Sequence, residues 1–243
     1  MQTKKIIDLH CHILPGMDDG SPDPETSVEM LRRQARQGVE VVCATSHYYA
    51  DQNSIGTFCD RRAAALERLQ AVLPEGLPRI VPAAEVACFS GISGRRGLSR
   101  LCIPGTRTLL LEMPFTQWND FQTEEVEALV LDRNYHVVLV HPARFCGSRK
   151  NLEKLWQLEE LPVGFQVNAG TLLRWRSRKL GLELLRGARY PLLGSDCHNL
   201  TSRPPNLEEG RRVICRKLGQ AFVDRMDQNA AWLLEPAAGE GTL

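Results

Sequence analysis

The chain has 243 residues, 43% hydrophobic and 24% charged, with a formal net charge of +1. That is enough apolar material for a real core, and the near-neutral balance excludes the broad electrostatic field that nucleic acid or a membrane surface would attract. No stretch approaches the ~20 apolar residues of a membrane span, and Met1-Gln2-Thr3-Lys4-Lys5 precedes only a few apolar residues, so the expected location is the cytoplasm, with no nucleic-acid partner and no membrane insertion.

In chain order, strand-length apolar runs alternate with segments of helical period. The runs Ile6 to His10, Val39 to Thr45, Arg79 to Glu85, Thr108 to Glu112, His136 to His141, Gly164 to Asn168 and Pro191 to Ser195 predict seven strands. Most are continuously apolar, as parallel strands covered on both faces should be. Asp23-Pro24-Glu25 opens the first helix, with Pro and acid in the first turn, and Gly38 closes it. Further helices are expected from Asp60 to Leu73, Thr123 to about Asn134, Asn151 to Glu160, and Leu173 to Arg186. Leu207 to Leu234 reads as one or two more, and Glu235 to Leu243 as a frayed tail. Ala87 to Arg107, rich in Gly, Ser and Arg, is expected to be a loop or short-helix insertion. Repeated β-α units with no linker predict one α/β domain over 1–243, with a core at 5–218. Seven units suit a distorted seven-stranded parallel (β/α)7 barrel better than a doubly wound sheet.

The strand ends carry the chemistry. Strand one ends His10-Cys11-His12, strand two Thr45-Ser46-His47, strand three Ala84-Glu85, strand four Leu111-Glu112, strand five His141-Pro142, and strand seven Asp196-Cys197-His198. Residues i and i+2 of a strand share a face, so His10 and His12 can reach one point. In a parallel barrel all carboxyl ends of strands meet on one face. Six strands delivering imidazole or carboxylate there are costly to bury unless paired or metal-bound. One tetrahedral ion needs four ligands. His10, His12, His47, His141, His198, Glu85, Glu112, Asp196 and either Asp18 or Asp19 therefore imply two or three ions. Mixed imidazole and carboxylate without thiolate suits Mn, Fe or Zn. His136 begins strand five, so it belongs at the opposite end. The eight cysteines form no C-x-x-C pair and read as reduced thiols.

Three divalent ions would outweigh four carboxylates, and the surplus positive charge attracts an anion. Multi-metal sites activate water and stabilise the oxygens of phosphoryl transfer. Arginine supplies fork-like phosphate contacts, and Arg144 and Arg203 sit just beyond ligand-bearing strand ends. Phosphomonoester hydrolysis is the expected chemistry.

Together, Asp8-Leu9-His10-Cys11-His12 with Pro15-Gly16 and Asp18-Asp19-Gly20, Thr45-Ser46-His47, Ala84-Glu85, Leu111-Glu112, His141-Pro142 with Arg144, Gln166-Val167-Asn168, and Ser195-Asp196-Cys197-His198-Asn199 with Arg203-Pro204-Pro205 resemble the PHP (polymerase and histidinol phosphatase) superfamily. Within it, the sequence is most similar to bacterial manganese-dependent protein-tyrosine phosphatases of capsule and exopolysaccharide loci. The resemblance implies a trinuclear manganese site and, as substrate, a phosphotyrosine protein such as a bacterial tyrosine kinase. His10, His12, Glu85 and Asp196 would hold one ion; Glu85, Glu112 and His141 a second; and Asp19, His47 and His198 a third. Asp19 is favoured over Asp18, which spacing does not exclude. Arg144 and Arg203 would bind phosphate, and His47 or His198, where not held by metal, would protonate the leaving group. The sequence departs from the family pattern at Ala143, at Tyr48, in the 87–107 insertion and in the basic run Arg174 to Lys179. That run is expected to be a solvated helix face, or else a dock for an acidic protein tail.

Cys197 to Arg203 also fits the C-x5-R pattern of cysteine-dependent phosphatases. The intervening residues lack glycine and lead to Pro204-Pro205, so they are ill suited to cradling phosphate with backbone N–H groups. Rival functions are a small-molecule phosphatase such as histidinol phosphatase and a non-catalytic, metal-stabilised kinase partner.

Overall fold

The described residues form nine parallel strands and eight α-helices, mostly in β-α order. They are β1 (Ile6–Cys11), α1 (Pro24–Arg36), β2 (Val39–Ala44), β3 (His47–Tyr48), α2 (Ile55–Gln70), β4 (Arg79–Pro82), β5 (Glu85–Ala87), β6 (Thr108–Glu112), α3 (Asp120–Leu131), β7 (His136–Val140), α4 (Arg149–Leu158), β8 (Gly164–Asn168), α5 (Ala169–Leu173), α6 (Trp175–Gly187), β9 (Tyr190–Gly194), α7 (Leu207–Leu218) and α8 (Gln220–Leu233). This computed structural model describes residues 5–236; the expected frayed tail lies, from residue 237 onward, outside the described residues.

The strands fall into two sheets, ordered β1-β2-β4 and β3-β5-β6-β7-β8-β9. Seven predicted strands become nine because two of them break and change partner. The second breaks at Thr45-Ser46 and resumes as β3; the third breaks at Ala83-Ala84 and resumes as β5. Backbone bonds carry the pairing across both gaps, from Thr45 N–H to Cys11 O at 2.9 Å and from Ala83 N–H to Ala44 O at 2.8 Å. A single parallel bridge, Cys11 with Cys197, joins the far edges. At that seam the buried Asp8 carboxylate accepts from Ser195 N (2.9 Å) and Ser195 Oγ (2.5 Å).

The apolar interior has two parts. One cluster joins Ile7, Leu9, Val41, Cys43, Val81, Leu110, Val138, Val140 and Leu192, residues from both sheets that meet one another. Ala230 and Leu233 of α8 close it from below, so the buried interior extends past the expected core limit of 218. The larger cluster lies between strands and helices and includes Met30, Leu31, Phe58, Leu69, Phe165 and Leu185.

Helix starts follow their caps. Asp23 accepts from Thr26 N at 2.7 Å and starts α1 as expected. Helix α2 begins five residues before the predicted Asp60, because Ser54 caps it by accepting from Thr57 N at 3.0 Å. Asn119 and Gln122 form a capping box that starts α3 ahead of Thr123. The tail is two helices, parted at Gly219, whose φ of 90° only glycine adopts easily. The 87–107 insertion holds one 3-10 turn, Leu98–Leu101. It is pinned by Glu125, which accepts from Gly91 N at 2.6 Å and Ser93 N at 2.9 Å.

Candidate metal centre

The seam builds one half of the site. Asp196 N–H donates to His10 O (2.8 Å) and His12 N–H to Cys197 O (2.9 Å), which sets the ends of β1 and β9 side by side. His10, His12, Asp196 and His198 converge there, all nearly or fully buried. The break after β2 turns His47 toward them, and the break after β4 sets Glu85 opposite His47 in register. His141 and Asp196 both hold left-handed backbone conformations (φ 36° and 51°). Such strain, costly for residues other than glycine, clusters where function over-determines the backbone.

Glu85 is the hub. Its Oε2 lies 3.2 Å from the Nε2 atoms of both His10 and His12 and 2.9 Å from His47 Nδ1. Its Oε1 lies 2.7 Å from His141 Nε2, which also faces Glu112 Oε1 at 3.4 Å. Asp196 Oδ1 is 3.6 Å from the Nε2 atoms of His10 and His12. Asp19, 66% exposed on its side chain, faces His47 Nε2 at 3.4 Å and His198 Nε2 at 3.3 Å.

Asp18 has a different position. It accepts from His12 Nδ1 (2.9 Å), Gly20 N (2.9 Å) and His47 N (2.9 Å). It orients His12 from behind, as carboxylates behind metal-bound imidazoles do, and leaves Asp19 facing the cluster.

The fit to metal ions follows from proton counting. Asp196 can only accept, so Asn168 presents its Nδ2 to it, at 2.6 Å. Asn168 Oδ1 then receives Gln166 Nε2 at 3.0 Å, which turns Gln166 Oε1 toward His10 Nδ1 at 2.9 Å. That nitrogen must carry the proton, so His10 Nε2 is the atom free to exchange a proton for a cation. Asp18 fixes His12, and the Asp196 carbonyl (3.1 Å) fixes His198, in the same sense. Lone-pair atoms therefore face one another: His10 Nε2 and His12 Nε2 are 3.1 Å apart. Glu85 Oε2, Asp196 Oδ1 and His198 Nε2 are buried without a hydrogen-bond partner. Divalent cations are what such a donor set lacks.

Charge tells the same story. Burial pushes the Glu112 carboxyl up to about 7, with the Glu85 charge adding to it. Burial opposes charge on His10, but Glu85 and Asp196 draw its pKa upward regardless. Burial pushes His198 down to about 3, reinforced by the charge of His12. A neutral His198 suits a ligand better than an acid. Among the described residues, three sets of imidazole and carboxylate donors gather closely enough to share an ion: His10, His12 and Glu85; His47, Glu85 and Glu112; and His12, Asp19, His47 and His198; a fourth set, Asp8 with Cys11 and Cys197, belongs to the β1–β9 seam.

The two arginines stand at the rim. Arg203 Nη2 bonds Asp196 Oδ2 at 2.7 Å, with Nη1 3.6 Å from Asp19 Oδ2, and Arg144 Nη1 lies 3.9 Å from Asp196 Oδ2. They help line a pocket of about 400 Å³ with Asp19, His47, Tyr49 and Phe115. Phe115 and Tyr49 are not among the sequence-predicted site residues. Phe115 is 53% exposed. It lies nearly parallel to the His141 ring (6.1 Å, 13°), under the Arg144 guanidinium at 4.9 Å. Tyr49 stacks on His47 at 5.4 Å. An aromatic residue shortly after a candidate ligand, Phe115 after Glu112 and Tyr49 after His47, is the signal the sequence offers. His136, as expected, is remote and stacks on Trp232 at 4.6 Å.

Gln166 and Asn168 belong to the family-like segment of β8, and no spacing marks them as a relay. Gly194 leaves them room, since a Cβ there would sit 2.6 Å from Gln166 Nε2. Asn168→Ala is expected to weaken divalent-metal affinity about 10–100-fold, measured by metal titration. Unchanged affinity would remove the relay from the site.

Parallel strands that gather imidazoles, carboxylates and arginines at their carboxyl ends define an α/β protein with a candidate multi-metal centre for a phosphate ester. The sequence matches the family described as "Capsular polysaccharide synthesis, CpsB/CapC" over residues 6–235, and the chain belongs to that family. It is 29% identical to tyrosine-protein phosphatase YwqE of Bacillus subtilis, over 94% of this chain and 91% of that one. It is 26% identical to tyrosine-protein phosphatase CpsB of Streptococcus agalactiae, over 91% and 94%. A solved structure from work on B. subtilis YwqE and Streptococcus pneumoniae CpsB, described as "unique metal-dependent tyrosine phosphatases", superposes with a TM-score of 0.81 at 26% identity, covering 94% of each chain. The phosphotriesterase homology protein of Escherichia coli shares the fold alone, with a TM-score of 0.60 at 13% identity over 97% of this chain and all of that one.

Proposed function

We propose that this chain is a cytoplasmic, manganese-dependent protein-tyrosine phosphatase acting on a bacterial tyrosine kinase of polysaccharide synthesis. The observation that carries the reading is the cluster of partnerless imidazole and carboxylate atoms beside Arg144 and Arg203. The names of the family and its relatives support the substrate class. Mixed imidazole and carboxylate donors without thiolate suit Mn, Fe or Zn, and the resemblance to manganese-dependent phosphatases makes manganese the first choice. None of the eight cysteines is in a disulfide, which suits a reducing compartment. No helix among the described residues is long and apolar enough to cross a membrane. On this reading β2 with β3 and β4 with β5 are two bent staves, and the Cys11–Cys197 bridge closes a distorted seven-stave barrel in one PHP-type domain.

His10, His12, Glu85 and Asp196 would hold one ion, Glu85, Glu112 and His141 a second, and Asp19, His47 and His198 a third. Ions bound there would supply an activated water and neutralise charge on the phosphoryl oxygens. Arg144 and Arg203 hold those oxygens in line. Phe115 and Tyr49 flank the departing ring, and His47 would return a proton to it where metal does not hold its imidazole. With manganese added, turnover of a phosphotyrosine peptide should exceed that of histidinol phosphate. Preference for histidinol phosphate, or no turnover of either at full metal occupancy, overturns the reading in favour of a small-molecule phosphatase or a non-catalytic partner. Phe115→Leu should raise KM for an aryl phosphate about fivefold, given ring–ring contacts worth ~1 kcal/mol, while KM for an alkyl phosphate stays put. An equal change in both would exclude ring stacking.

A further inference from the structure

We infer that a second cleft beside the metal centre seats an acidic side chain of the phosphoprotein, next to its phosphotyrosine. This rests on the phosphatase reading above. Arg144 and Arg203 form a partition: they line the 400 Å³ pocket on one side and a cleft of about 280 Å³ on the other. The second cleft adds Arg174, Asn168 and Thr171, with Asp196 as its one carboxylate. That carboxylate already accepts from Asn168 (2.6 Å) and Arg203 (2.7 Å). Three guanidinium groups against one committed carboxylate leave a local positive surplus on a chain whose net charge is only +1.

The basic run separates into distinct jobs. Arg178 donates to Leu172 O at 2.6 Å and Leu173 O at 3.1 Å, pinning the turn between α5 and α6. Lys179 lies 3.8 Å from Glu183. Arg176 lies over the Trp175 ring at 5.2 Å. Arg174 is exposed, lines the cleft, and has no carboxylate within ion-pair distance among the described residues. An uncompensated guanidinium one partition away from the phosphate position selects an oxyanion held on the same molecule as the phosphate. A protein substrate offers that as the carboxylate of a neighbouring Asp or Glu.

The test uses three substrates with the manganese-loaded protein: a phosphotyrosine peptide flanked by glutamates, the same peptide with glutamines, and a small aryl phosphate. Wild type should favour the glutamate peptide about fivefold in kcat/KM, the scale of an exposed ion pair. Arg174→Gln should erase that preference while changing the glutamine peptide and the aryl phosphate less than twofold, and Arg174→Glu should invert it. Equal wild-type rates on both peptides, or an equal loss on all three substrates in Arg174→Gln, overturns the inference. So does a severalfold weaker inhibition by inorganic phosphate in Arg174→Gln with the peptide preference intact, because the cleft would then hold free phosphate. No turnover of any substrate by wild type sinks the phosphatase reading instead. The cleft is then judged by direct binding, where the glutamate peptide must bind wild type more tightly than Arg174→Gln.

Discussion

Glu85→Gln is expected to lower kcat/KM for an aryl phosphate by about 10³-fold and to strip bound metal from the protein. Glu85 touches four imidazoles, those of His10, His12, His47 and His141, and no other side chain in the cluster does. It is wholly buried at the centre of the cluster. Burial opposes its charge, yet the imidazoles around it hold its pKa well below the usual carboxylate range. The amide keeps the volume and removes the charge. It also aims N–H groups at nitrogens that should present lone pairs to cations. Charge stabilisation by such ions is worth several kcal/mol, and each ~1.4 kcal/mol is a factor of ten. Elemental analysis and steady-state kinetics on one preparation check it, with circular dichroism to confirm folding. A folded variant with near-normal turnover or full metal content would show that the hub is misassigned.

The candidate ligands were legible because strand geometry is regular. Parallel strands end on one face, so polar residues closing apolar runs had to meet, and they do at His10, His12, Glu85, Glu112, His141, Asp196 and His198. What escaped depends on cross-strand neighbours rather than on the local pattern. Gln166 and Asn168 relay orientation from Asp196 to His10 because β8 lies beside β9 in a particular register. Asp18 and Asp19 are adjacent in sequence and alike in type. Only the fold of the turn sends one to the back of His12 and the other toward His47 and His198. The break after β2 was hidden because Thr45 favours a strand, whereas Pro82 and the two alanines after it, all poor strand formers, did signal the second; at both places the backbone changes partner for tertiary reasons. The early start of α2 was hidden by its composition, which becomes rich in Ala, Leu and Arg only after Ser54 has already capped the first turn.

Chelation is expected to abolish turnover, manganese to restore it, and Cys197→Ser to leave it within about twofold of wild type. A cysteine mechanism would give the opposite pattern, since thiolate chemistry needs an accessible sulfur with a lowered pKa. Cys197 is wholly buried, and its sulfur lies 3.0 Å from that of Cys11. Gln34 Nε2 approaches both sulfurs, at 3.2 Å from Cys11 and 3.3 Å from Cys197. Burial pushes the neighbouring Cys11 thiol well up, and its contact with Cys197 adds to the shift. The pair therefore serves the β1–β9 seam and leaves phosphate to the other side of the strand. Stability should report the same ions without reference to activity. Ligand at 100 times its Kd stabilises by ~2.7 kcal/mol, and a chain of this size gains about 2–4 °C in Tm per kcal/mol. Manganese should therefore raise Tm by about 5–10 °C, and Asp196→Ala should cancel most of that rise. Activity that survives chelator but disappears in Cys197→Ser would put the chemistry at the sulfur. A Tm indifferent to manganese in wild type would mean that the partnerless nitrogens and oxygens around Glu85 hold no ion.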